Sequence, residues 1–217
     1  MNLWRNSSIH PGWPRTVGPL RVSAGLVGLR PVRMRDATLW SRIRLADRSC
    51  LEPWEPTAEM DWVLRHSVSA WPAMCSGLRA EARKGRMLPY AIELDGVFCG
   101  QLTIGNVTHG ALRSAWIGYW VSSAVTGRGV ATAALALGLD HCFSAVMLHR
   151  VEATVRPENA ASRAVLAKVG FREEGLLRRY LDIDGAWRDH LLVAQTVEET
   201  QGPVASTLVK KGLAQWP

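Results

Sequence analysis

The sequence predicts an α+β domain, a mixed sheet flanked by helices, and three observations carry that expectation. Two pairs of β-rich runs meet at short polar turns: "LPYAIEL" and "VFCGQLTIGNV" around Asp95-Gly96, and runs near 171–181 and 187–197 around "DIDG". Between these pairs, strand and helix signals alternate. A glycine turn, "TGRGVA" at 126–131, opens the Ala/Leu-rich helix of that alternating region.

The elements follow in order. Residues 1–25 hold prolines and glycines without an apolar period and read as an arm outside the domain. "LVGLRPVR" (26–33) is a first strand. Asp36 is placed to N-cap a helix running to about Ser49, with Leu39, Trp40 and Ile43 on one face. "LEPWEP" is a proline-bounded loop, and a helical stretch from Asp61 to about Lys84 is disturbed at Pro72. After the Asp-Gly hairpin, "LRSAWIGYWV" (112–121) is a strand, and the glycine turn feeds a helix to about Val146. "HRVEATVR" is the next strand, and the helix over 159–169 stops at Gly170. The domain is expected over 26–198, and 199–217 reads as a tail with a short helix in "VASTLVKKGL".

Composition narrows the function. No stretch is long and apolar enough to span a membrane, and the first residues lack the apolar core of a signal peptide, so a cytoplasmic location is expected. Cys50, Cys75, Cys99 and Cys142 include no C-x-x-C pair, and the six histidines show no ligand spacing, so no metal is assigned. The net charge is +7, and residues 1–35 carry six arginines and no acid. Such an arm suits a polyanion such as RNA or a ribosome surface, and equally suits plain solvation. Trp40, Trp54, Trp62 and Trp71 fall in one stretch, as packing residues or as walls of an acceptor pocket.

A strand, a Gly-x-Gly turn and a helix can bind an anion, because the glycines permit positive φ and the first helical amides have no partner inside the helix. The stretch matches neither the P-loop nor the dinucleotide fingerprint. An ordinary left-handed turn would use the same glycines, so spacing alone leaves phosphate binding open.

The flanking residues go further. "IGYWVSSAVTGRGVAT" resembles the acetyl-CoA signature of the GNAT N-acetyltransferase superfamily, Gln/Arg-x-x-Gly-x-Gly/Ala, with Thr126 first, Gly129 fourth and Ala131 sixth. "RPENAASRAVLAKVGFREEG" resembles the family's second signature. "LRPVRMRD", "LEPWEP" and "YLDIDGAWRDH" resemble more narrowly the ribosomal-protein-alanine N-acetyltransferases. The resemblance covers about 27–198. It implies a mostly antiparallel sheet splayed at an acetyl-CoA site. It also implies a pyrophosphate cradle at Thr126, Gly127, Arg128, Gly129, Val130, Ala131 and Thr132, and pantetheine pairing with strand residues near Val121. Asn159 would contact the pantetheine arm, and Ser162 would protonate the leaving thiolate.

Each of these residues also has a plainer reading. Asn159 can simply cap its helix, Ser162 can back-bond within it, and Tyr180, a second candidate acid, can be an ordinary strand aromatic. Glu55 is either a solvated loop acid or the carboxylate that receives the acceptor's ammonium. The chain departs from the family at Thr126, where Gln or Arg is usual. Trp116 and Arg179 stand where relatives can carry acids, so the general base is left unassigned. The implied activity is direct acetyl transfer to the N-terminal amine of a protein, ribosomal in type. Alternatives are acetylation of a small amine, an antibiotic or a lysine, and a non-enzymatic basic RNA- or ribosome-binding protein.

Overall fold

In the computed structural model, which describes residues 12–217, eight strands build one sheet. They are β1 (Val17–Val22), β2 (Gly25–Pro31), β3 (Met87–Leu94), β4 (Val97–Thr108), β5 (Ser114–Val121), β6 (Arg150–Val155), β7 (Arg172–Ile183) and β8 (Ala186–Thr196). Their order across the sheet is β1-β2-β3-β4-β5-β6-β8-β7. Among the described residues the α-helices are α1 (Ala37–Ala46), α2 (Arg48–Leu51), α3 (Trp62–Arg65), α4 (Trp71–Arg83), α5 (Val130–Ser144), α6 (Ala160–Val169) and α7 (Val204–Lys210).

The hairpins form where the turn chemistry places them. Asp95 and Gly96 both adopt positive φ, 51° and 79°, as a two-residue hairpin turn requires. The Asp95 carboxylate also accepts from the Leu26 amide at 2.9 Å, tying the turn to β2. Neighbouring strands are antiparallel except β5 and β6, which run parallel through Ser114–Arg150, Ala115–Val151 and Trp116–Glu152 and then separate. The remainder of β5, to Val121, has no strand on its β6 side. The sheet is therefore splayed in the middle.

Alternation along the strands sorts side chains onto two faces. Leu88, Tyr90 and Ile92 of β3 join the larger core with Ile117, Ala153 and Val193. That face is covered by α5, which is apolar nearly all round and packs on the sheet and on α6 and α7. Ala91, between Tyr90 and Ile92, points to the other face and joins Val32, Trp40, Trp71, Cys75 and Phe98 under α1 and α4. Two buried indoles donate to backbone carbonyls: Trp71 Nε1, in this cluster, to Arg33 O at 2.9 Å, and Trp62 Nε1, outside it, to Arg44 O at 3.0 Å.

Three local expectations need correction. Asp36 occupies the N-cap position of α1, but its side chain makes no capping bond to that helix. Its carboxylate accepts from the Arg33 amide and from both terminal nitrogens of buried Arg30, at 2.8, 2.8 and 2.7 Å. Arg30 also donates to Glu93, so this arginine of the basic stretch is an internal structural cation rather than part of a solvated arm. The helical stretch over 61–84 breaks into α3, a 3-10 turn at Val68–Ala70 and α4, because Pro72 lacks an amide and is tolerated only in a first turn, which here is that of α4.

The third correction concerns the ends of the chain. Residues 12–22 lie within the domain: β1 is a strand of the sheet, Leu20 and Val22 are buried, and Trp13 is 6% exposed against Tyr90. Gly12 O accepts from Tyr90 Oη at 2.9 Å and meets His141 Nε2 at 2.8 Å. Prolines hid this edge strand, since they break an apolar period without preventing edge pairing. The expected tail helix, α7, is real and buries Val204, Ala205 and Leu208, with Asp140 accepting from its first two amides at 2.5 and 3.0 Å. Gln215 then pairs with Arg21 of β1. Residues 1–11 of the basic arm lie outside the described residues.

Trp13→Ala should lower stability by about 3–5 kcal/mol, as expected for emptying a buried aromatic site, and removal of residues 1–20 should abolish folding. Denaturant unfolding followed by circular dichroism checks both; an unchanged midpoint for Trp13→Ala would show that the segment is not part of the core.

Candidate active site

The separation of β5 from β6 opens a cleft of about 830 Å³ lined by residues of β5, β6, α5, α6, β8 and the "LEPWEP" loop. Side chains of opposite parity reach it from the two faces of the sheet. Tyr119 and Val121 belong to the α5 face, where they pack against the larger core. Trp120 belongs to the α1 face, where its ring meets Phe98. The cleft therefore passes through the sheet.

At one end is the glycine turn. Gly127 and Gly129 have φ of 72° and 85°. The first backbone bond of the α5 ladder runs from the Ala133 amide to Gly129 O at 2.9 Å. The amides of Val130, Ala131 and Thr132 thus precede the ladder at the positive end of a 15-residue helix. Gly127, Gly129, Val130, Ala131 and Thr132 all line the cleft, and so do Val121 and Thr126. Thr126 uses its hydroxyl locally, donating to Ser123 O at 2.9 Å. Arg128 is exposed and does not line the cleft; its carbonyl accepts from Ser23 Oγ at 3.1 Å. The two glycines differ. A Cβ on Gly127 would meet nothing within 4 Å, whereas one on Gly129 would lie 3.2 Å from Val22 Cβ. An oxyanion can sit against these amides without a side chain in the way.

In the middle, α6 faces β5 across the gap. Asn159 caps α6, its Oδ1 accepting from the Ser162 amide at 3.0 Å, and it also lines the cleft. Ser162 Oγ lies 3.1 Å from Tyr119 Oη, which also donates to Ser162 O at 3.3 Å. Burial pushes the Tyr119 phenol up to about 12. This pair is a proton-donor arrangement: a serine beside a phenol has no base to activate it as a nucleophile. Tyr119 was not singled out from the sequence, because "IGYWV" reads as a strand whichever face the tyrosine takes.

At the other end, distant segments converge. The "LEPWEP" loop meets the β7–β8 turn through an isolated bridge between Pro56 and Ile183 and through Thr57, whose hydroxyl donates to Asp182 Oδ1 at 2.7 Å and accepts from the Gly185 amide at 2.8 Å. Arg156, just after β6, donates to Pro53 O at 3.1 Å and lies over the Trp54 ring at 5.3 Å. Glu55 lines the cleft here, and its Oε1 accepts from buried Arg44 at 2.7 Å. The Arg44 guanidinium lies between the rings of Trp62 and Trp120, at 4.8 and 5.1 Å, and reaches His66 Nε2 at 2.9 Å. Burial, then Arg44, lowers the His66 pKa to about 4, so a neutral imidazole accepts from Arg44 while its Nδ1 donates to Trp62 O. Glu55 is thus no free loop acid but the visible end of a buried polar network.

The other candidates fall elsewhere. Tyr180 is 45% exposed, does not line the cleft and is not brought to Ser162; its ring meets His190, which does line the cleft. Arg179 has a φ of 48°, and its amide donates to Asp189 at 2.7 Å. Trp116 lines the cleft and lies across Gly105, where a Cβ would come within 2.2 Å of the indole. His190 was one of the six histidines assigned no metal for lack of ligand spacing, and its position in the cleft follows from strand register.

A splayed sheet with free amides at one mouth and a polar network at the other defines the class of protein, an acyltransferase. The model of the GNAT acetyltransferase domain matches residues 27–172, and the chain belongs to that family: it is an acetyl-CoA-dependent N-acetyltransferase. The structure of Mycobacterium smegmatis RimJ in complex with CoA-disulfide is 75% identical, with a TM-score of 0.95 over 96% of this chain and 100% of that one. The [ribosomal protein uS5]-alanine N-acetyltransferase of Escherichia coli is 27% identical over 87% of this chain and 96% of that one. The probable N-acetyltransferase YjcK of Bacillus subtilis is 40% identical over a shorter match, 46% of this chain and 55% of that protein.

Gly127→Glu should weaken acetyl-CoA binding at least tenfold, about 1.4 kcal/mol, in a protein that still folds, because the new side chain enters open space beside the amides. Both glycines are left-handed, so either substitution should cost about 1–2 kcal/mol of stability, and Gly129→Ala should lose more than Gly127→Glu because its Cβ also crowds Val22. Calorimetry with acetyl-CoA and thermal unfolding separate the two; unchanged affinity in folded Gly127→Glu would remove the glycine turn from the binding site.

Proposed function

We propose that the enzyme acetylates the N-terminal α-amine of a protein, ribosomal in type, by direct transfer. The observation that carries this reading is the likeness, over nearly its whole length, to proteins named as RimJ and as a uS5-alanine N-acetyltransferase. In this reading the amides of residues 127–132 hold the CoA pyrophosphate, and the free edge of β5 up to Val121 pairs with the pantetheine amides as an added strand would. Asn159 lies beside the same arm. A main-chain amide of β5 steadies the oxyanion.

The two-faced cleft supports direct transfer, since the amine can approach the thioester from the α1 face while the thiolate leaves toward Ser162 and Tyr119. No covalent enzyme intermediate is needed. Glu55, with one oxygen taken by Arg44, offers the other to the incoming ammonium. Tyr180 stays outside this proposed machinery, its place as the second acid taken by Tyr119. Proton energetics support an α-amine. At pH 7 a free α-amine, with a pKa of about 7.7–8.0, reaches its neutral form for roughly 1 kcal/mol, while lysine at about 10.4 requires roughly 4.6 kcal/mol. Contact of the basic arm with the ribosome surface and a cytoplasmic location belong to the same reading; among the described residues no helix is long and apolar enough to cross a membrane.

Peptides beginning with Ala or Ser should be acetylated on the α-amine, and the same peptides with a blocked N-terminus and a free lysine should remain unmodified. Mass spectrometry locates the acetyl group, and finding it mainly on lysine would overturn the assignment.

A further inference from the structure

The sheet register places one more titratable side chain in the channel. In the β6–β8 pairing, Val155 stands opposite Leu191 and Ala153 opposite Val193, and all four belong to the α5-face core. His190, one residue before Leu191, therefore belongs with Thr154 on the α1 face, the face of Trp120 and of the "LEPWEP" loop. It lines the cleft and is 4% exposed. Its Nδ1 lies 3.1 Å from Arg188 O, a carbonyl that can only accept. That contact fixes the tautomer with hydrogen on Nδ1 and leaves the Nε2 lone pair free. Ser162 and Tyr119 stand on the α5 side of the same channel. The channel thus has proton donors at one face and an oriented acceptor at the other.

We infer that His190 is the general base, taking a proton from the acceptor's ammonium at Nε2. The inference rests on the acetyl-transfer reading above. His190 Nε2 removes one proton from the ammonium, and the freed lone pair forms the N–C bond at the thioester carbonyl. The C–S bond then breaks, with its electron pair going to sulfur. Sulfur takes a proton from the Ser162–Tyr119 pair, which regains one from the amide nitrogen. The imidazolium returns its proton to solvent. Charged or titratable groups that share the cleft with His190 are Glu55, Arg156, Cys50, Lys168 and Tyr119, and Tyr180 of β7 packs on its ring.

The test uses the full chain and whichever amine the parent acetylates best, so an error in the acceptor class leaves it intact; failure of every N-terminal peptide would count against the acceptor reading alone. His190→Asn keeps a donor for Arg188 O and His190→Gln keeps the reach of Nε2, and neither provides a base. Both should bind acetyl-CoA as the parent does and lose about 10²–10³-fold in kcat/KM. Their activity should recover about tenfold per pH unit up to the amine's own pKa, where the parent is nearly level. A variant that binds acetyl-CoA with parental kcat/KM and pH profile overturns the inference. So does a parent whose kcat/KM already falls tenfold per pH unit below the amine's pKa, a result that needs no variant.

Discussion

Three parallel residue pairs, Ser114–Arg150, Ala115–Val151 and Trp116–Glu152, join the two halves of the sheet, and the separation beyond them is the constraint on which the rest depends. Backbone amides and carbonyls inside a protein need partners. A strand that loses its neighbour halfway along a central position leaves such groups facing a channel, and an extended ligand with its own amides can satisfy them. The helix that connects the two strands, α5, starts at Val130, a short loop after β5 ends at Val121. The glycine turn in that loop brings the first amides of α5 to the mouth of the channel.

The lips of the channel are held by side chains. Tyr119 bonds Ser162 across the gap, while buried Asp47 accepts from the amide and hydroxyl of Ser123, at 2.8 and 2.5 Å, fixing the loop after β5 to the end of α1. At the other lip, the "LEPWEP" loop is held by Arg156, by the β7–β8 turn and by the Arg44 network. Breaking the last from one side is expected to be costly, because Arg44 is buried and would lose its only carboxylate among the described residues. Rigidity at both lips suits a reaction whose rate depends on holding an amine near a thioester carbonyl.

Local chemistry made much of the fold legible. The Asp-Gly hairpin, the glycine turn, the helix stopped at Gly170 and the short terminal helix each depend on a few adjacent residues. The edge strand before residue 26 was not legible, because Pro14 and Pro19 interrupt its pattern while Leu20 and Val22 still face inward. Asp36 looked like a cap and proved to be the partner of Arg30, a choice made by a strand residue that sequence spacing does not relate to it. In the site, spacing marked the glycine turn but left its ligand open, and the family resemblance supplied the cradle reading. Tyr119, Arg44 and His190 were not singled out, since their places in the cleft come from strand parity and from contacts across long separations.

Amide hydrogen exchange with and without acetyl-CoA tests the channel most directly. The account expects slowed exchange in the part of β5 beyond Trp116 and in residues 127–132, with little change along β2 and β3. Protection elsewhere, with both of those segments exchanging as fast as in the free protein, would contradict a donor that pairs with β5 and docks on the start of α5.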